Sequence, residues 1–175
     1  MSRLVVVLPL SPLHDGDSFA VEDWPLHITV LPPFLTHAAP REIADSIAAA
    51  TSTQEMLTAV AGRDELFGRR HNVPVTVIVE NQALDRLHRT LVDAVRPFAA
   101  STDEPAFTGP GFRAHVTIKH PARVHEGEEL SLTQIALVDL APRATPRGRA
   151  VLATIPLGPR KQHPGSYIDA PPPPL

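Results

Sequence analysis

Short strand-like runs follow one another with few residues between them, and this spacing restricts the fold more than any other feature of the chain. Residues 3–10 form a β-branched-rich run that ends in a Pro/Ser/Gly/Asp-rich loop. Residues 26–31 read as a second strand, stopped by Pro32 and Pro33. Residues 56–61 and 73–80 read as two more, joined by the charged segment GRDELFGRRHN, and residues 112–118, 130–140 and 148–155 complete the set. Only two segments have helical spacing. In residues 40–50, Ile43 and Ile47 recur one turn apart and Pro40 suits a first helical turn. The other begins at Asn81, a good cap, carries Leu84, Leu87, Leu91 and Val95 on one side, and is closed by Pro97. The resulting order, ββαββαβββ, lets strands adjacent in sequence pair antiparallel. That predicts an α+β fold and not a doubly wound parallel sheet.

With 175 residues, 43% of them hydrophobic and 20% charged, the chain can bury a core without a metal or disulfide staple. Residues 1–155 are expected to form one bilobal domain; the Pro-rich stretch 156–175, with its PPPP run, reads as an extended or disordered tail. Cysteine is absent, which excludes a disulfide framework, a thiolate zinc site and a cysteine nucleophile together. A net charge of −3 argues against a surface built to grip long duplex nucleic acid. The N-terminal run is interrupted by Pro9 and reads as a strand, not a signal peptide, and no window nears the roughly 18 apolar residues of a membrane span. A monomeric cytoplasmic protein is the expectation.

Two strand candidates carry the same polar insertion. PLHITVLPPF covers residues 25–34 and RAHVTIKH covers residues 113–120. Residues i and i+2 of a strand project from one face. His27 and Thr29 therefore share a side, with Leu26, Ile28 and Val30 on the other; Arg113, His115, Thr117 and Lys119 share a side, with Ala114, Val116 and Ile118 opposite. The apolar sides explain the strands. The polar sides must meet water or a ligand, because an unpaired buried polar group costs about 1–3 kcal/mol. One His-x-Thr means little, but two on matched apolar strands, each in a half with one good helix, hint at an internal duplication.

Two imidazoles facing each other across a cleft form an acid–base pair that titrates near neutrality. One removes a proton from an attacking water or hydroxyl, and the other protonates the departing oxygen. Each Thr hydroxyl can donate to an oxygen held between them. A phosphate offers non-bridging oxygens to the threonines and in-line entering and leaving oxygens to the histidines, with Arg113 or Lys119 offsetting the developing charge. This chemistry calls for no metal and no cofactor.

HITVLPPF and HVTIK resemble the two His-x-Thr motifs of the 2H phosphoesterase superfamily, which includes the bacterial 2′-5′ RNA ligase-like proteins and cyclic phosphodiesterases. The resemblance spans about residues 1–155. It implies a two-lobed, duplicated α+β fold with antiparallel sheets lining a central cleft and helices outside, and a catalytic quartet of His27, Thr29, His115 and Thr117. It also implies that Phe34, the aromatic soon after the first motif, borders the ligand. Some members have an Arg soon after the second motif, where this chain reads Lys119-His120. The implied activity is opening of a nucleoside 2′,3′-cyclic phosphate to a 2′-phosphate, or cleavage or joining of 2′-5′ linkages. The expected ligand is a small nucleotide or RNA end bearing a phosphate. A non-catalytic nucleotide or RNA-end binding module of the same fold, and an enzyme that degrades cyclic oligonucleotide signals, are the alternatives.

Other groups carry weaker signals. Trp24, just before the first motif, is a candidate to stack on a base, against the plainer reading of a core aromatic. His115, His120 and His125 recur every five residues, a step that alternates strand faces and matches no zinc motif. Arg69, Arg70 and His71 read as a solvated turn.

Overall fold

The computed structural model of the chain describes residues 1–108, 111–142 and 148–159. Nine strands are found among them: β1 (Ser2–Pro9), β2 (Ser18–Ala20), β3 (His27–Thr36), β4 (Leu57–Phe67), β5 (Val73–Ile78), β6 (His115–Thr117), β7 (Glu129–Leu132), β8 (Gln134–Asp139) and β9 (Gly148–Pro156). Helices α1 (Pro40–Ala50) and α2 (Gln82–Val95) are accompanied by a short helical segment, α3 (Pro105–Thr108). The strands form one sheet in the order β2-β9-β8-β1-β3-β6-β5-β4-β7, and every neighbouring pair of strands is antiparallel. The α+β expectation holds. The antiparallel sheets that the family resemblance implies are joined here into one, because the two motif strands, β3 and β6, are themselves neighbours at its centre.

The helices form where the sequence placed them. Pro40 opens α1, and Glu42 reaches back to accept the Ala39 amide at 2.9 Å. The Asn81 side chain accepts from the amides of Ala83 and Leu84, and the apolar stripe Leu84, Leu87, Leu91 and Val95 is buried. Both helices pack on each other, α1 also against β9 and α2 against β3. Between them and the sheet lies the main core, which includes Leu4, Val6 and Leu8 of β1, Ile28 and Val30 of β3, and Val116 of β6. A smaller apolar cluster occupies the other face of β1, β8 and β9, built on Val5, Val7, Ala136, Val138 and Val151 and covered by Phe19 and Trp24.

Three strands depart from the sequence reading. The prolines do not stop β3: the register passes from Leu31 opposite Val6 to Phe34 opposite Leu4, an extra residue that absorbs Pro32 and Pro33 as a bulge. A second bulge lies just before it, between Thr29 opposite Val7 and Leu31 opposite Val6. The charged segment 62–67 is not a loop but the second half of β4, bent where its pairing with β5 shifts register between Ala61 and Asp64. Gly62 sits in that bend, where a Cβ would lie 2.9 Å from the Val77 carbonyl oxygen. The run 130–140 is split at Thr133, with β7 pairing β4 and β8 pairing β1 and β9.

That split shapes the sheet. β7 is its last strand and β8 the third from the other end, yet Thr133 alone separates them. Two chain steps reach only about 7 Å, so the sheet has to curl until its ends come together. The junction is fastened by the stretch after β9: Leu157 is buried and its amide donates to Thr133 carbonyl oxygen at 2.9 Å, while Gly158 pairs with Glu55 and accepts from the Met56 amide at 2.7 Å. The expected tail boundary thus moves, since Pro156 closes β9 and residues 157–159 belong to the folded body. Tyr167 and the PPPP run lie outside the described residues.

Candidate active site

The seam between β3 and β6 is one registered pair, Ile28 opposite Val116, and both side chains are buried in the main core. Directly opposed residues of an antiparallel pair point to the same face. Continuing that register one residue each way sets His27 opposite Thr117 and Thr29 opposite His115, all four on the face turned away from Ile28 and Val116. Each histidine therefore faces the other motif's threonine, and the two histidines are diagonal neighbours, a relation that places residues about 7–8 Å apart. Neither threonine hydroxyl has a protein partner among the described residues.

The two rings are held alike. His27 Nδ1 donates to the Pro25 carbonyl oxygen at 2.7 Å, and His115 Nδ1 to the Arg113 carbonyl oxygen at 2.9 Å. A carbonyl can only accept, so the proton sits on Nδ1 and the lone pair of each neutral ring is on Nε2. An aromatic ring backs each one. Trp24 stacks on His27 with centroids 3.9 Å apart, and Phe67 meets His115 edge-on at 4.8 Å.

Their surroundings differ. His27 is half-buried, and its pKa is lowered to about 4, chiefly by burial; the hydrogen bond to Pro25 opposes the shift, and nearby Lys119, His115 and Arg149 add to it. The Lys119 ammonium donates to the Trp24 carbonyl oxygen at 2.5 Å and stands 5.7 Å from the Trp24 ring centre. Burial holds Lys119 below the usual lysine range, helped by Arg149 and opposed by Asp23. The Arg149 guanidinium lies over Trp24 at 5.5 Å and donates to the carbonyl oxygens of Leu140 and Gly148. Positive charge is thus gathered around a histidine kept neutral, a setting that suits an anion.

His115 and Thr29 open into a cavity of about 430 Å³, lined also by Pro32, Phe67, His88, Arg89, Phe107, Phe112 and Arg113. Arg113 lies 4.9 Å over the Phe67 ring and donates to Glu65 at 3.0 Å.

The structure brings the sequence candidates together unevenly. The quartet shares one face; Trp24 and Lys119 join His27, and Arg113 joins His115. Phe34 does not border the cavity. It is fully buried, edge-on to Phe107 at 6.1 Å, because the two bulges of β3 together restore the original alternation and turn it the way of Ile28. Sequence reasoning missed Phe67, taken as loop, and His88, Phe112 and Arg149. For His88 a signal existed, since a polar residue four after Leu84 and three before Leu91 interrupts the apolar stripe of α2.

The profile of the 2′-5′ RNA ligase superfamily matches residues 11–145, a span holding both motifs. None of the curated proteins matches the chain. Among solved structures, the TT0787 protein of Thermus thermophilus is similar at 20% identity and a TM-score of 0.59, over 91% of this chain and 100% of that one. E. coli LigT complexed with 3′-AMP is similar at 17% identity and a TM-score of 0.53, over 89% of this chain and 98% of that one. A protein described as a phosphoesterase is similar at 16% identity and a TM-score of 0.55, over 90% and 98%. At these identities the likeness establishes the shared fold, and the profile match establishes the kinship: the chain belongs to the 2′-5′ RNA ligase superfamily, the 2H phosphoesterases.

Proposed function

We propose that the protein is a phosphoesterase that opens a 2′,3′-cyclic phosphate, or cleaves a 2′-5′ linked nucleotide, by acid–base catalysis between His27 and His115. The observation that supports this reading is the β3–β6 register, which puts the two imidazoles diagonally on one face, each opposite a threonine whose hydroxyl has no protein partner among the described residues. The E. coli LigT structures hold 3′-AMP, ATP, NADP+ and phosphate. That supports a small nucleotide ligand here.

His27 is neutral at pH 7, so its Nε2 accepts the proton of the attacking water as the water oxygen bonds to phosphorus. The phosphorus–O3′ bond breaks as His115, entering the step as the imidazolium, gives its Nε2 proton to O3′ and becomes neutral, leaving a 2′-phosphate, a 3′-hydroxyl and a protonated His27. Ligation would run the same transfers backwards with the roles exchanged. Thr29 and Thr117 donate to the non-bridging oxygens, and Lys119 and Arg149 stabilise the charge that builds there. A bound phosphate also offsets the cationic surroundings that help hold His27 below its ordinary pKa, so its basicity recovers in the complex.

The test is direct. Purified protein in EDTA should convert nucleoside 2′,3′-cyclic phosphates to 2′-phosphates, followed by phosphorus NMR. Tight binding of the cyclic nucleotides with no turnover across the four common bases would favour a sequestering module instead.

A further inference from the structure

Three histidines of this protein are wired alike, and only two belong to the motifs. His88, on α2, donates Nδ1–H to the Val30 carbonyl oxygen at 2.7 Å, as His27 and His115 donate to Pro25 and Arg113. Each also rests against an aromatic ring; His88 stacks on Phe112 with centroids 4.4 Å apart and planes 8° from parallel. By the same logic the Nε2 of neutral His88 is a lone pair, and it has no protein partner among the described residues. A leucine in its place would complete the stripe of α2. What stands there is an imidazole locked at one nitrogen and offering an acceptor at the other.

His88 lines the cavity that Thr29 and His115 enter, so any group attached to a phosphate held by the motifs and directed to that side meets it. The walls of that cavity are flat and largely apolar: Phe67, Phe107, Phe112 and Pro32. Its charged side chains, Arg89 and Arg113, are donors, and no carboxylate lines it among the described residues. Apart from the motif side chains, His88 Nε2 is the fixed side-chain acceptor of this space among the described residues.

We propose that His88 is a specificity-determining residue, its Nε2 accepting a hydrogen bond from an amino group on the base of the bound nucleotide while Phe112 holds the imidazole plane. This rests on the phosphoesterase reading above and adds which bases the site prefers. An amino-bearing base supplies the donor; a base with a carbonyl at the same position sets one acceptor against another.

Cytidine and uridine 2′,3′-cyclic phosphates differ at that point, amino against carbonyl, with nearly the same shape. Wild-type protein should open the cytidine compound with a kcat/KM higher by about tenfold. His88→Phe should bring the ratio to about one, chiefly by raising KM for cytidine. His88→Gln, which restores an acceptor, should recover part of the preference. A wild-type ratio near one, or a ratio unchanged in His88→Phe, would overturn the role of His88 while leaving the phosphoesterase intact. The wild-type ratio decides the matter even where a variant fails to fold. A wild-type protein that opens neither compound removes the phosphoesterase reading itself, and the His88 proposal falls with it.

Discussion

The Trp24 and His27 ring centroids lie 3.9 Å apart with planes at 27° to each other, so the indole covers one face of the first motif's histidine. Desolvation is the largest cause of the low pKa of His27, and the stacked Trp24 ring is part of its cover. Trp24→Ala should raise the His27 titration midpoint toward the ordinary value of 6.5 in a proton–nitrogen NMR titration. Trp24→Phe keeps an aromatic face there and should leave the midpoint near 4. Equal midpoints in the two variants would show that the cover comes from elsewhere.

Removing either imidazole should stop the chemistry without unfolding the chain. His27→Ala and His115→Ala are each expected to lower kcat for a cyclic nucleotide by about a hundredfold or more, with far-ultraviolet circular dichroism unchanged. Both rings sit on the face of the sheet turned away from the main core, so the fold has little to lose. Wild-type turnover in either variant would end the assigned roles.

Acid should weaken the fold through His27. Its folded pKa of about 4 lies below the reference value of 6.5, so between those values the unfolded chain binds the proton more readily. Stability from this group is therefore complete above pH 6.5 and drains away as pH falls toward 4, by about 3 kcal/mol in all. Urea midpoints at pH 7 and pH 4.5 should differ less in His27→Gln, which cannot take up the proton, than in wild type.

Lys119 should act on the ligand and on His27 together. Lys119→Ala removes a positive neighbour, so the His27 midpoint should rise while the KM for a cyclic nucleotide rises several-fold. A lower midpoint would contradict the electrostatic account.

Phe34 should behave as a core residue. Phe34→Ala is expected to cost about 3–5 kcal/mol in chemical denaturation, with KM unchanged in the protein that remains folded. A selective change in KM would return Phe34 to the ligand.

Much of this was legible in the sequence because it rests on local rules. Strand alternation put His27 with Thr29 and His115 with Thr117, and the stripe of α2 and its Asn81 cap followed from helical spacing. The unread parts depend on longer-range pairing. Pro32 and Pro33 end a strand by local preference, but a bulge against β1 carries β3 through them, and with the second bulge it keeps Phe34 on the side of Ile28 that alternation alone assigns. The charges of residues 63–65 suggest a loop, but ladder bonds to β5 make it a strand and bring Phe67 to His115. Arg149 gives no sign of its role, because its meeting with Trp24 depends on how β9 and the loop after β2 come together.

Thr133 lets β7 and β8 meet almost end to end, and this single-residue joint closes the curled sheet into a near-complete hoop. A hoop resists hinging: swinging the halves apart at β3 and β6 would strain the ladders on the far side. The spacing of the two imidazoles is set at the seam where β3 meets β6, and the joint braces that seam from the far side: lengthening it by a few glycines should loosen a pairing that it never touches.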